Sequence, residues 1–231
     1  MSTQNGGLRL NTNNLIFYID TIRFSISQGG SNDLIKSRNV VAGGWSVPPN
    51  FIVFNGTSQY ISYSFNNDFR SSFVTIDCWI NPSSAVAGDA AIFSTFDFIR
   101  YNLGLPPTGY ALTWGNNTFN FYYADGGLVG VLKTSSSTSI INKWSNIVLV
   151  YNGTNVIFYL NGTLLTSLSG TNPINWTVGS TIVSTVDIGK KSSNAGYFPG
   201  SIGSIKVYDR ALTFSEVADN YNKFRARFDN F

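Results

Sequence analysis

The chain has 231 residues, of which only 12% are charged and 15% aromatic, with 22 glycines and a net charge of +3. This balance is typical of a strand-and-turn protein and excludes a helical bundle or a long disordered chain. The small positive excess predicts neither nucleic-acid nor membrane binding. With no histidine and a single cysteine, Cys78, the chain has no intrachain disulfide and no zinc cluster. Because Cys78 lies in the apolar run FVTIDCWI, we expect a buried, inert thiol.

Residues 1–14 are polar and contain Gly6-Gly7 and several asparagines, so we interpret them as a flexible N-terminal arm. They lack the apolar stretch of a signal peptide, and no segment approaches transmembrane length. We therefore expect synthesis in the cytoplasm without passage through a conventional secretory route.

From Leu15 onward, short apolar runs alternate with turn sequences and no linker separates them, which predicts one domain over residues 15–231. In chain order the runs are NLIFYI, FIVF, YISYSF, FVTIDCWI, AAIFSTF, YALTWG, TFNFYYA, SNIVLVY, NVIFYL, STVDIGK and SIGSIKVY. Asn55-Gly56, Asn152-Gly153 and Asn161-Gly162 fall between runs, and both residue types accept the positive φ angles of hairpin turns. Many short strands joined by such turns predict a two-sheet antiparallel sandwich.

The last run, residues 201–208, leads into a predicted helix. A shift in its alternation at Gly203-Ser204 indicates a β-bulge. Thr213 followed three residues later by Glu216 is a capping-box pattern, which predicts that a helix begins there. The apolar residues of this helix share one face: Val217, Tyr221, Phe224 and Phe228. Glu216 is the only glutamate of the chain, so its use in a cap removes it as a catalytic candidate.

Five segments resemble, in order, the segments of laminin-G-like domains in the concanavalin A-like lectin/glucanase superfamily. They are LIFYIDTIRFSIS, IVFNGTSQYISY, SFVTIDCWINP, KWSNIVLVYNGTNVIFYLNGTLL and GYFPGSIGSIKVYDRALTFSEVADNYN. The resemblance covers nearly all of residues 15–228. It implies an all-β fold, a two-sheet antiparallel jelly-roll sandwich of the concanavalin A-like kind with a short C-terminal helix. Function varies widely on this fold, so it has to be argued from sites.

Glycosidases of this superfamily need a close pair of carboxylates on one strand. No two acidic residues of this chain stand two positions apart, which is the spacing that places both on one face of a strand. Without histidine, and with its one cysteine in an apolar run, the chain also lacks the usual nucleophile–base pair. We therefore predict that the protein is not an enzyme.

Calcium is the cofactor that the resemblance leaves open, because some laminin-G-like domains bind it through oxygen ligands at the rim of a sheet. Asp89, Asp97 and Asp125 lie in or beside predicted loops. No dense run of oxygen ligands surrounds any of them. We predict no cofactor and interpret these acids as ordinary turn carboxylates, with calcium as the alternative.

Aromatic side chains in the central strands are candidates for carbohydrate binding, because lectins of this fold often present a groove there. The candidate residues are Tyr110, Trp114, Tyr122 and Tyr123. Adjacent side chains of a strand point to opposite faces, so either Tyr122 or Tyr123 is expected to point out of the core. Core packing is the alternative interpretation of all four rings.

The near-N-terminal strand and the closing tail also resemble modules of phage structural proteins. This implies a non-enzymatic virion surface protein, a tailed-phage capsid decoration (cement) or fibre-type component, that is made in the host cytoplasm. Its partners would be capsid or other virion proteins and neighbouring copies of itself, with the polar arm ordered on docking. The absence of disulfides fits folding in a reducing cytoplasm. The alternative is a glycan-binding adhesin or receptor-binding lectin module, whose partners would be cell-surface glycans.

Overall fold

The computed structural model describes residues 13–20, 40–42, 51–65, 67–127, 130–176, 185–193 and 195–229. The predicted arm, residues 1–14, falls outside this part of the chain except for Asn13 and Asn14. The strands are β1 (Leu15–Asp20), β2 (Val40–Ala42), β3 (Ile52–Asn55), β4 (Ile61–Ser64), β5 (Val74–Pro82), β6 (Ala90–Ser94), β7 (Tyr110–Gly115), β8 (Thr118–Tyr123), β9 (Val131–Thr134), β10 (Ser145–Tyr151), β11 (Asn155–Leu160), β12 (Thr163–Ser169), β13 (Thr185–Ile188) and β14 (Pro199–Tyr208). The helices are α1 (Phe98–Asn102) and α2 (Phe214–Phe224), and short 3-10 helices cover Asn67–Phe69 and Arg225–Arg227.

These strands form two antiparallel sheets packed face to face. Sheet A has the order β1-β14-β5-β10-β11-β12, with β3 paired to the first half of β14. Sheet B has the order β2-β4-β13-β6-β7-β8-β9. The predicted fold class, an all-β two-sheet jelly-roll sandwich with a short C-terminal helix, is confirmed.

Strand β10 shows why the apolar runs of this chain are so dense. Ile147, Leu149 and Tyr151 face the core between the sheets, whereas Val148 and Val150 belong to a second apolar cluster under the C-terminal segment. Both faces of the strand are therefore buried, which explains apolar residues at consecutive positions. Cys78 lies in the core between the sheets as predicted, and burial raises the pKa of its thiol.

The three predicted asparagine–glycine turns do not all connect paired strands. Asn161 and Gly162 have φ angles of 50° and 74° and join β11 to β12 as a two-residue hairpin, as predicted. At the β10–β11 turn, the Asn152 carboxamide oxygen accepts from the amides of two following residues. The predicted hairpin at Asn55-Gly56 is wrong, because β3 pairs with β14 in sheet A and β4 pairs with β13 in sheet B. That turn carries the chain from one sheet to the other.

The C-terminal helix begins where the sequence predicts. The Thr213 hydroxyl accepts from the Glu216 amide, and the Glu216 carboxylate accepts from the Thr213 amide. Helix α2 covers the outer face of sheet A, where Val217, Phe224 and Phe228 are buried. The predicted bulge is present as a register shift between β14 and β5 at Ile202/Ser204. The helix therefore shields a second apolar face of this sheet from solvent.

Three described elements carry too little sequence pattern to be predicted. Strands β2 and β9 have three and four residues, and helix α1 has five. Helix α1 lies in the segment that covers the outer face of sheet B, where Phe96 and Phe98 pack on Tyr122. Among the described residues, no helix is both long and apolar enough to cross a membrane.

Candidate functional site

Three of the four aromatic residues predicted to bind sugar are core residues. Tyr110, Trp114 and Tyr123 have no exposed surface and face the interior between the sheets. The Trp114 indole nitrogen donates to the carbonyl of Ser84 at 3.3 Å. A ring without exposed surface cannot stack on a ligand, so these three do not form the expected platform. Every second residue of β7 and β8 points into the core. Because both faces of these strands carry apolar residues, the sequence pattern did not show which residues point inward.

Tyr122 points to the outer face of sheet B, as expected for one of the two adjacent tyrosines. Its hydroxyl donates to Asp89, which also accepts from the side-chain carboxamide of Asn120 at 2.6 Å. Lys191 Nζ lies 3.8 Å from the same carboxylate and 4.7 Å from the centre of the Phe98 ring. Burial and the bond to Asp89 raise the pKa of Tyr122, whereas burial lowers the pKa of Lys191. Because these polar groups bind one another, this network holds the surrounding loops on the sheet.

A cleft opens at one end of the sandwich, where β8 ends, β5 begins and the chain continues beyond β12. Its volume is ≈ 510 Å³, within the range of small-molecule sites. The residues that line it are Ser72, Asp125, Asn172, Pro173, Ile174, Asn175 and Trp176. We refer to it as the Trp176 cleft.

The Trp176 side chain is half-buried and held on several sides. Its indole nitrogen donates to the carbonyl of Ser71 at 3.0 Å. Its ring centre lies 5.7 Å from that of Phe65 and 5.8 Å from that of Tyr110, the latter edge to face. These contacts fix the indole, and its remaining surface lines the cleft. Tyr110 therefore supports the site from below.

The Asp125 carboxylate is positioned by a directed chain of hydrogen bonds. One oxygen accepts from the Gly127 amide at 2.9 Å, and the other accepts from the Thr171 hydroxyl at 3.0 Å. Because the Thr171 hydroxyl donates to Asp125, the Tyr123 hydroxyl, 3.1 Å away, must donate to Thr171. Tyr123 in turn accepts from the Thr171 amide. Tyr123, another of the predicted tyrosines, thus helps to position Asp125 from beneath the cleft.

The segment that carries the other cleft residues is fastened to both sheets. The Ile174 amide donates to the carbonyl of Ser72, and the Asn175 amide donates to the carbonyl of Ala124 at 2.8 Å. The Asn175 side chain lies over Gly126, where an added Cβ would be 2.7 Å from the carboxamide nitrogen. Gly126 also has a φ of +89°, so a side chain there is doubly disfavoured.

The three acids considered for calcium lie in separate local networks. Asp97 accepts from the Arg100 amide at 3.0 Å and caps helix α1. Asp89 belongs to the network on the outer face of sheet B, and Asp125 to the cleft. In the part of the chain that the structure describes, no three acidic, histidine or cysteine side chains are grouped so as to hold a metal ion.

Sequence reasoning missed Trp176 and Thr171. The sequence TNPINW contains turn-forming residues and no strand alternation, so a tryptophan there has no predicted place in a sheet. A bulky ring outside every strand pattern is the signal that could have identified it. No local pattern points to Thr171, since its role depends on contacts with β8.

The family described as the Concanavalin A-like lectin/glucanases superfamily (laminin-G-like) matches residues 55–218. Among curated proteins, none matches the chain.

Several solved structures share the fold at low sequence identity. The binding domain of Paraclostridial Mosquitocidal Protein 1 is 18% identical with a TM-score of 0.68, and the match covers 92% of this chain and 53% of that one. The binding domain of Botulinum Neurotoxin DC in complex with SialylT is 13% identical, with a TM-score of 0.64 and coverage of 91% and 51%. Trypanosoma rangeli sialidase in complex with 2,3-difluorosialic acid is 15% identical, with a TM-score of 0.66 and coverage of 99% and 35%.

The chain spans about half the length of the toxin structures and about a third of the sialidase. At these identities the likeness shows the fold alone. The family match, which covers most of the chain, goes further. The chain belongs to the concanavalin A-like lectin/glucanase superfamily as a laminin-G-like domain.

Proposed function

We propose that the protein is a non-enzymatic binding module that recognises carbohydrate through the Trp176 cleft. The observation that carries this proposal is one cleft lined by a fixed indole, a positioned carboxylate and two asparagines. A sugar ring has an apolar C–H face that packs on an aromatic side chain. Its hydroxyls donate to carboxylates and exchange hydrogen bonds with amides.

The charge inventory of the cleft supports binding without catalysis. Among the described residues that line it, Asp125 is the only carboxylate. Glycoside hydrolysis of the usual kind needs two carboxyl groups on opposite sides of the scissile bond. The family and the two toxin binding domains that share the fold agree with a binding role.

A glycan array with the full chain tests this function, followed by titration of the best ligand. We expect Trp176→Ala and Asp125→Asn each to weaken binding at least about tenfold, since each removes a direct contact. Asp219→Asn, on the exposed face of α2, is the matched control and should bind normally. Circular dichroism of each variant separates lost contacts from lost folding. Glycan binding that is unchanged in both cleft variants would contradict the proposal.

The virion role is a second proposal, compatible with the first. It is supported by the resemblance of the first strand, β1, and the closing tail, residues 220–228, to phage structural modules. Strand β1 pairs with β14, the strand that precedes the helix of this tail. The partners would be capsid or other virion proteins and further copies of this chain, on the particle surface. Mass spectrometry of purified particles from the source tests it, and deletion of residues 1–14 should abolish incorporation. Particles that lack the protein would overturn it.

A further inference from the structure

The Trp176 cleft has a one-sided charge distribution. Among the described residues that line it, Asp125 carries a formal charge and the other six are neutral. From this we infer that the cleft selects uncharged sugars and discriminates against sialylated and other acidic glycans. This specificity rests on the carbohydrate-binding function proposed above.

The Asp125 carboxylate cannot readily turn away from an acidic ligand. Its two oxygens are held separately, one by the Gly127 amide and one by the Thr171 hydroxyl, and Thr171 is itself held by Tyr123. Rotation of the carboxylate would break both bonds. Each oxygen can still accept a further hydrogen bond, so a pair of sugar hydroxyls has acceptors at fixed positions.

An acidic sugar would bring a second negative charge to this carboxylate. Like charges in a partly buried site repel more strongly than in bulk water, and added salt weakens the repulsion. The amide side chain of Asn172 offers neutral donor and acceptor groups, which match hydroxyl and N-acetyl groups. The described lining offers no lysine or arginine that would offset a ligand carboxylate.

Matched glycan pairs, identical except for a terminal sialic acid, provide the test with the full chain. An array identifies the best neutral oligosaccharide, and calorimetric titration then compares it with its sialylated counterpart at low and high salt. We expect the neutral member to bind at least about tenfold tighter at low salt, with a smaller ratio at high salt. Asp125→Asn should bring the ratio close to one, whereas the control Asp219→Asn should leave it unchanged.

The possible outcomes separate this specificity from the function on which it rests. Equal or tighter binding of the sialylated member, abolished by Trp176→Ala, would overturn the specificity and leave the function standing. Binding of neither member of any pair would overturn both. If Asp125→Asn fails to fold, the unmodified chain provides the test. A ratio of neutral to sialylated affinity that does not fall as salt is added would contradict the inference.

Discussion

Lys206 Nζ lies 3.1 Å from Asp77 Oδ2, and both side chains are almost completely buried on the outer face of sheet A. Asp77 also accepts from the carboxamides of Asn146 at 2.7 Å and Asn220 at 3.2 Å. The Lys206 ammonium lies 3.9 Å from the centre of the Phe224 ring. These contacts join strands β5, β10 and β14 to helix α2. A buried ion pair is tolerated only when its remaining hydrogen-bonding groups are also engaged.

Replacement of Lys206 by Met should destabilise the protein by about 3–5 kcal/mol, because it leaves the buried Asp77 carboxylate without a counter-charge. Urea denaturation followed by circular dichroism measures the free energy of unfolding. Lys223→Met, on helix α2, is the control and should change it by less than about 0.5 kcal/mol. A loss below about 1 kcal/mol in Lys206→Met would contradict the stabilising role of the buried Lys206–Asp77 pair.

Thr213→Ala removes the side chain that caps helix α2, and it should lower stability by about 1 kcal/mol. The Thr213 hydroxyl lies 3.3 Å from the Glu216 amide that it satisfies. Ser215→Ala, two residues further along in the first turn of the same helix, is the control and should have little effect. An equal loss in both variants would indicate a general effect of hydroxyl removal and would contradict the cap.

The stability contributed by Glu216 should depend on pH. Hydrogen bonds from the Arg210 guanidinium, at 2.6 and 2.8 Å, are the main reason that the pKa of Glu216 is about 2. An unfolded glutamate has a pKa of about 4.3, so the folded state binds the proton less readily. The stabilisation is therefore present above that value and is lost as the pH falls towards 2.

Denaturation of the unmodified chain and of Glu216→Gln between pH 2 and pH 7 checks this prediction. The difference between their free energies of unfolding should be constant from about pH 5 upward and should vanish near pH 2. Asp219→Asn serves as the control for removal of an acidic residue from the same helix. A difference that is equally large at pH 2 would contradict the lowered pKa.

Trp114→Ala should act on stability and not directly on ligand binding. The Trp114 ring is fully buried between the sheets and packs on Phe119, with ring centres 5.0 Å apart. Its truncation should cost about 3–5 kcal/mol through lost contacts and the cavity that remains. The fraction that stays folded should bind glycan with unchanged affinity in a titration at low temperature. Loss of binding by a fully folded variant would return this residue to the candidate site.

Features set by neighbouring residues were predictable from the sequence. The capping box of Thr213 and Glu216 and the hairpin at Asn161-Gly162 depend on local backbone geometry, and both are present. The turn at Asn55-Gly56 follows the same local rules. Its flanking strands nevertheless belong to different sheets, because strand pairing is decided by contacts distant in sequence.

The candidate site was less predictable for a related reason. Tyr110 and Tyr123 lie in strands whose two faces are both apolar, so alternation could not tell the core face from the outer one. Trp176 gains its role from Phe65 and Tyr110, which are remote in the sequence and meet only in the folded sandwich. Strand position and the family resemblance thus suggested aromatic candidates, but not which of these rings would be exposed.

The position of strand β14 sets when sheet A can form during synthesis of the chain. It lies between β1 and β5 and also pairs with β3, so Leu15 has its partner at Tyr208. While the ribosome is still translating the preceding residues, β1 and β3 have no β14 to pair with. Such long-range pairing slows folding, and unpaired strand edges in the nascent chain favour aggregation. Sheet A can therefore be completed only after β14 has left the ribosome, and chaperones that hold nascent polypeptides should protect the chain until then.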